Sequence, residues 1–275
     1  MKSIKYFCEL YLVNTKMKFV IHPQYESCKN EILAKVINFK NEGVPFGDSN
    51  RNVIKIFDFP SYLVNIKSFK VPAVFNQIIY FLFRKSKAER SFNYAVRLLE
   101  NEIGTPQPIA YVEKYSILGL HCSYYISEHM PTELTFRELV TIPDYPQHEV
   151  ILRQFTAFCF DLHQKGIEFL DHSPGNTLIK KISEDKYAFF LVDLNRMKFH
   201  QKMDMTSRMK NLRRLTYKTE MLAIMSDEYA RLAGKDPQYV FEEMKLHTEN
   251  FHRSHQKKRR LKKKLLFWRK YPAKK

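Results

Sequence analysis

The sequence predicts an α+β fold of two lobes, a strand-rich N-lobe followed by a helical C-lobe. Three observations predict it. β-prone alternating segments crowd the chain before Met130-Pro131, helical periodicity dominates after it, and a polar loop beginning at Asp171 follows a helix and precedes a hairpin. With 275 residues the chain can bury a sizeable core in one large or two small domains. The expected division is an N-terminal extension at 1–16, the N-lobe at 17–130, the C-lobe at 131–250 and a basic tail at 251–275.

Residues 1–16 begin with lysines and a short apolar stretch that Glu9 interrupts. No small-residue cleavage site follows, so the segment is a poor secretory signal and reads as an extension or as a misplaced start before Met17. The stretch Phe19 to Phe83 reads as strand-rich. Within it, Asn52–Phe57 and Tyr62–Lys67 form an expected antiparallel pair around the turn residues Asp58-Phe59-Pro60-Ser61. A helix is expected from Lys87 to Glu102, with apolar residues at Phe92, Ala95, Val96, Leu98 and Leu99; Gly104 and Pro106 end it. Ile109–Glu113 and Cys122–Ser127 are two further strands. In the second half, Val150 to Gln164 is a helix stopped by Gly166. Thr177–Ile182 and Tyr187–Val192 form a hairpin around Ser183-Glu184-Asp185-Lys186. Helices then run from Met203 to about His247.

Composition excludes several classes. The four cysteines, Cys8, Cys28, Cys122 and Cys159, have neither metal-ligand nor redox spacing, which fits free thiols in a reducing cytoplasm. No Walker-type phosphate loop, His-Glu-x-x-His or Gly-x-Ser-x-Gly is present. No apolar run reaches the roughly 18–20 residues of a membrane-spanning helix; Val71 to Phe83 comes nearest, broken by Asn76 and Gln77. The net charge of +17 is uneven. Residues 253–275 hold twelve Lys or Arg and no acid, which leaves +5 for everything else.

The chemistry lies in Asp171, Asn176 and Asp193. A carboxylate that takes the proton of an attacking hydroxyl, and an amide oxygen and a second carboxylate that hold Mg²⁺ on ATP phosphates, suit a loop followed by a hairpin that returns the last acid. Protein kinases place a catalytic-loop Asp, its Asn and a metal-binding Asp in this order. Val64-Asn65-Ile66-Lys67 is similar to the third kinase strand, whose lysine binds the α/β-phosphates and pairs with a helix glutamate. Glu89 is the chosen partner; Lys70 competes with Lys67 for the lysine's place, and Glu100 or Glu102 with Glu89. Ser127-Glu128-His129-Met130 occupies the hinge position, where backbone groups of Glu128 and Met130 would bond adenine. Gly43 and Gly47 precede the Asn52–Phe57 strand; they lie where a phosphate-covering loop is needed, or form only a hairpin turn.

These pieces, with Arg51–Lys55, Asn65–Lys70, Ser86–Ser91, Thr105–Tyr111, Asp171–Asn176 and Asp193-Leu194-Asn195-Arg196-Met197, resemble the lipopolysaccharide kinase family of Kdo kinases and WaaP-type heptose kinases, over about Met17 to His200. (Kdo is 3-deoxy-D-manno-octulosonic acid.) The resemblance implies a kinase-like fold, ATP and Mg²⁺ as cofactors, and a sugar hydroxyl on the lipid A–inner core precursor as acceptor. By position, Asp171 would be the base, Asn176 and Asp193 the metal ligands, and Lys67 the phosphate lysine. Phe169 and Leu170 replace the usual His-Arg before the catalytic Asp, and no Ala-Pro-Glu element follows Asp193. Both departures argue against a phosphorylation-switched protein kinase. The tail, Lys257–Lys264 leading into Leu265-Leu266-Phe267-Trp268, suits an anionic membrane surface. The expected location is therefore peripheral, on the cytoplasmic face of the inner membrane. Nucleic acid is a less favoured partner because no nucleic-acid module accompanies the basic run. A protein or soluble-metabolite kinase and a membrane-bound pseudokinase scaffold are the competing readings; the sequence leaves the oligomeric state open.

Overall fold

The computed structural model describes residues 8–12, 15–47, 52–69, 85–117, 119–132 and 134–270. The chain divides into two compact units, one within Met1–Thr132 and Phe190–Arg196, the other within Glu133–Phe189 and Met197–Lys275. The short segment that holds Asp193 groups with the first unit.

The first unit is built on a seven-stranded antiparallel sheet in the order β1-β2-β6-β7-β5-β4-β3. Its strands are β1 (Cys8–Leu12), β2 (Thr15–Ile21), β3 (Val44–Phe46), β4 (Asn52–Phe59), β5 (Tyr62–Phe69), β6 (Pro108–Ser116) and β7 (Gly119–Glu128). The β4–β5 pair is the one the alternation predicts, with Ile54 opposite Lys67. Two expectations are corrected. Residues 8–12, assigned to an extension, form a strand paired with β2. The interval read as strand-rich holds a 3₁₀ turn at Pro23–Cys28 and a helix, α1 (Lys29–Ile37). Its Ile32 and Val36 lie one turn apart and join Phe19, Val64 and Ile66 in a buried cluster, a helical spacing that local β-propensity around it obscured.

Helix α2 (Lys87–Glu100) is capped by Ser86, whose hydroxyl accepts from the Glu89 N–H. Its Ala88 and Phe92 pack with Phe69 and Tyr111. Because side chains alternate along a strand, Val64 and Ile66 go to the α1 cluster while Lys67 and Phe69 share the α2 face. That period of two is what aims the lysine.

The second unit packs α3 (Phe136–Thr141), α4 (His148–Gln164), α5 (Met205–Leu212), α6 (Thr219–Ala233) and the first half of α7 (Pro237–Lys270) around one core. Phe136, Phe155, Met209, Met225, Tyr229, Val240 and Met244 are buried in it. Thr135 and Glu138 form a capping box at the start of α3. Small strands complete the unit. β8 (Leu134–Thr135) pairs with β10 (Thr177–Ser183), which neighbours β11 (Lys186–Leu191), and β9 (Ile167–Phe169) pairs with β12 (Met197–Phe199). The basic tail is no separate segment, since α7 continues without a break from Pro237 through Lys270. The Val71–Phe83 stretch and Lys70 lie outside the described residues.

Gly166, between α4 and β9, has φ +70°, and a Cβ there would stand 2.1 Å from the His200 carbonyl oxygen. Its own carbonyl accepts from the His200 N–H at 2.8 Å, locking the two strands together. Gly166→Ala combines left-handed strain with a backbone clash and is expected to cost roughly 2–4 kcal/mol of stability. Urea titration of the variant checks this; an unchanged midpoint would show that the β9–β12 pair yields easily.

Candidate active site

In the first unit, Lys67 Nζ donates to Asp193 Oδ1 at 2.7 Å, and Asn195 Nδ2 donates to the same oxygen at 2.7 Å. Lys67 is largely buried and Asp193 about one-third exposed (13% and 32%). Asp193 takes φ +60°, the left-handed conformation that Asp tolerates better than most residues. Upstream, Thr105 Oγ1 donates to the Leu191 carbonyl, and the Leu191 N–H donates to the Gly104 carbonyl. The end of the hairpin is thus tied to the turn that leads into β6, and the tie presents Asp193 to Lys67.

Glu89 has a different partner from the expected one. It accepts from Lys18 at 3.2 Å and pairs with Lys85 at 3.4 Å. Lys18 also faces the buried Glu113 at 3.5 Å and lies over the Tyr111 ring. Burial opposes the Lys18 charge, yet the carboxylates of Glu113 and Glu89 with Tyr111 raise its pKa above the ordinary value. The helix glutamate is therefore anchored to β2 while Lys67 holds Asp193. Sequence reading missed Lys18 because nothing local to it signals a partner 71 residues away.

At the end of β7, the Glu128 N–H donates to the Gln107 carbonyl and the His129 N–H to the Leu63 carbonyl. Met130 follows Glu128 two residues on. The Glu128 side chain accepts from Tyr25 Oη at 2.6 Å, a contact the sequence did not reveal. Gly43 and Gly47 both have positive φ and bracket β3, so they belong to a strand and its ends more than to an open loop. Phe46 between them meets His129 edge-on, with ring centroids 5.2 Å apart, which brings the glycine-flanked strand beside the hinge position. A Cβ at Gly43 would strike the Phe57 ring at 2.6 Å.

In the second unit, Asp171 leaves β9 two residues after Phe169. Asn176 Nδ2 donates to the Asp171 carbonyl at 2.8 Å, and the Asn176 N–H donates to the Ser173 carbonyl at 2.9 Å. Asn211 Nδ2 holds the Phe169 carbonyl from below at 2.8 Å. His172 is fully buried against Phe155 and Phe169, with neither ring nitrogen in a hydrogen bond. These contacts turn the Asp171 side chain outward, one-quarter exposed, and it forms an ion pair with Arg214. The arginine that usually precedes a kinase catalytic Asp is Leu170 here; a guanidinium reaches the Asp instead from the turn after α5.

In the second unit the Asn176 amide nitrogen is committed to the Asp171 carbonyl; in the first unit the Lys67 and Asn195 bonds to Asp193 both fall on Oδ1. Hard oxygen donors, few in number and completed by phosphates, are how Mg²⁺ is usually held. Among the described residues no group of three or more His, Cys, Asp or Glu forms a self-contained metal cage.

A strand-rich unit with a lysine on β5, and a helical unit with an Asp-x-x-x-x-Asn loop, define a protein-kinase-like α+β fold. The lipopolysaccharide kinase (Kdo/WaaP) family model matches residues 72–236, and the chain belongs to that family. The match includes Glu89, Glu128, Met130, Asp171, Asn176 and Asp193; Gly43, Gly47 and Lys67 precede it and the basic end of α7 follows it. A solved structure of WaaP in complex with acyl carrier protein is similar, with TM-score 0.58 and 14% identity over 87% of this chain and 98% of that one. The Rio2 kinase–ADP/Mg²⁺–phosphoaspartate complex from Chaetomium thermophilum gives TM-score 0.46 at 14% identity, covering 84% of this chain and 77% of that one. The MAP kinase LmaMPK10 from Leishmania major gives 0.44 at 14% identity, covering 75% and 61%. No curated protein matches by sequence.

Proposed function

We propose that this protein transfers the γ-phosphoryl group of ATP to a sugar hydroxyl, of Kdo or heptose, on the lipid A–inner core precursor. The observation that carries the reading is the Asp171/Asn176 loop, its side chain turned outward by the contacts beneath it, in a chain of the lipopolysaccharide kinase family. Asp171 takes the proton of the attacking hydroxyl. The acceptor oxygen bonds to the γ-phosphorus as the bond to the β-phosphate oxygen breaks, and ADP leaves. Lys67 is the phosphate lysine, exchanging its contact with Asp193 for the α/β-phosphates. Glu89 fixes α2 through Lys18. The Glu128 carbonyl and Met130 N–H meet adenine, and the strand between Gly43 and Gly47 borders the nucleotide. Bound Mg²⁺, held by Asn176 and Asp193, would neutralise phosphate charge. Mass spectrometry of lipid A–core extracts from cells with the gene intact and deleted tests the reading. Loss of one phosphate mass on deletion is expected; an unchanged core would refute it.

The C-terminal half of α7 is the membrane contact in this reading. Lys257, Lys258, Arg259, Arg260, Lys262 and Lys263 are exposed on it, and no helix among the described residues is long and apolar enough to cross a bilayer. Side chains of Leu265–Trp268 lie outside the described residues. Each basic residue near an anionic surface contributes on the order of 1 kcal/mol, less when clustered. Deleting 253–275 is expected to abolish sedimentation with phosphatidylglycerol vesicles while soluble ATP turnover persists; retained sedimentation would place the contact elsewhere. The WaaP structure holds an acyl carrier protein, and a protein partner for the same basic helix is the second reading, separated from the first by whether binding needs lipid.

A further inference from the structure

Arg213 and Arg214 follow α5 as neighbours, and both guanidiniums lie over one ring. Their carbons are 5.7 and 5.8 Å from the centroid of Phe251, on α7. Arg214 is neutralised by Asp171. Arg213 is not neutralised: its Nη1 donates to the Lys210 carbonyl at 2.7 Å, and among the described residues it has no ion pair. The acid whose field reaches it, Glu168, is itself engaged by His200 at 2.9 Å. Burial first, and then the like charge of Arg214, hold the Arg213 guanidinium below its ordinary pKa, with Glu168 acting the other way. Two like charges lie over one ring and only Arg214 has an ion pair, which leaves the Arg213 charge without one among the described residues. A planar guanidinium fork is suited to carboxylate or phosphate oxygens and poorly replaced by other cations.

We propose that Arg213, with Arg214 beside it, forms an anion subsite that takes a carboxylate or phosphate group of the acceptor next to Asp171. The inference rests on the acceptor reading above and adds to it the chemistry by which the acceptor is held. An acceptor whose hydroxyl lies near such a group would be oriented by Arg213 while Asp171 addresses the hydroxyl. Both guanidiniums lie over the Phe251 ring, so α7 contributes a wall of the subsite. Tyr217 and His252, in edge-to-face contact at 5.4 Å, continue the same surface.

The test compares wild type, Arg213→Gln and Arg213→Lys on three probes: purified lipid A–inner core glycolipid, the same glycolipid with its carboxyl groups reduced to alcohols, and the same glycolipid after phosphatase treatment. Arg213→Gln is expected to raise the acceptor KM on intact glycolipid roughly 10- to 100-fold, the worth of a charge-assisted hydrogen bond. The KM for ATP should not move, and Arg213→Lys should recover part of the loss. The probe on which Arg213→Gln has no further effect identifies the anion as carboxylate or phosphate. An unchanged acceptor KM in Arg213→Gln, or an equal rise on all three probes, overturns the subsite and leaves the kinase reading intact. Absence of transfer by wild type to any probe overturns both.

Discussion

Asp171→Asn is expected to lower phosphate transfer by about 10²–10⁴-fold, the usual worth of a positioned general base, while ATP still binds. The amide is nearly isosteric with the carboxylate but cannot accept the hydroxyl proton. The loop should survive the change, because Asn176 holds the Asp171 backbone carbonyl, and Asn211 holds the Phe169 carbonyl; neither bond involves the substituted side chain. What is lost besides the base is the counter-ion of Arg214, a side chain 31% exposed, whose charge water can partly carry. A modest stability change with a large rate loss therefore separates a chemical role from a structural one. Single-turnover transfer and calorimetric ATP titration on the same preparation decide it. A variant that keeps wild-type transfer would remove Asp171 from the chemistry. A variant that also fails to bind ATP would show that the substitution disturbs more than the base.

The parts of this site that were legible in the sequence are those whose signal is local. Asp171 and Asn176 are five residues apart on one loop, and their hydrogen bond runs within it. The β4–β5 pair announces itself through alternation and a turn, and so places Lys67 on a strand. The helix from Lys87 announces itself through the spacing of Phe92, Ala95, Val96 and Leu99. The parts that were not legible depend on partners far along the chain. Arg214 meets Asp171 across 43 residues, and Lys18 meets Glu89 across 71. Charged residues are too frequent for such pairs to be read from spacing. Helix α1 was missed for another reason. Its Ile32 and Val36 spacing is helical, but nine residues between strands give little periodicity to weigh against β-prone neighbours. The expected Lys67–Glu89 pair illustrates the limit of analogy: position placed both residues on elements sharing one face of the sheet, and tertiary packing gave each a different partner.

Acid should begin to destabilise the second unit as soon as the pH falls through about 6.5, before most carboxylates titrate. His163 and His172 are both fully buried there, and burial is the main cause that pushes their pKa values down, to about 3 and about 4 from an ordinary 6.5. His163 sits between Tyr229 Oη at 2.9 Å and Asn211 Oδ1 at 3.1 Å. Asn211 lies close enough to favour the charged form of His172, without a properly formed hydrogen bond to it, and the charge of Arg214 works the other way. Both rings are therefore neutral in the folded protein at pH values where the unfolded chain already binds two protons. The sign follows from linkage: the stability these rings contribute is complete above the unfolded pKa of 6.5, and it is lost as pH falls toward 4 for His172 and 3 for His163. Each extra proton in the unfolded state costs about 1.4 kcal/mol per pH unit, so the pair should remove several kcal/mol by about pH 4.5, a large share of the roughly 5–15 kcal/mol that a domain has. Urea midpoints followed by far-ultraviolet circular dichroism, in neutral and mildly acidic buffer, measure the slope. His172→Phe sharpens the test, since the ring it replaces makes no hydrogen bond and already lies among Phe155 and Phe169. It should leave neutral-pH stability close to wild type and flatten the acid slope by one proton. A wild-type slope near zero across this window would mean that the rings admit water or charge while folded, and a slope unchanged by His172→Phe would assign the acid sensitivity to His163 alone.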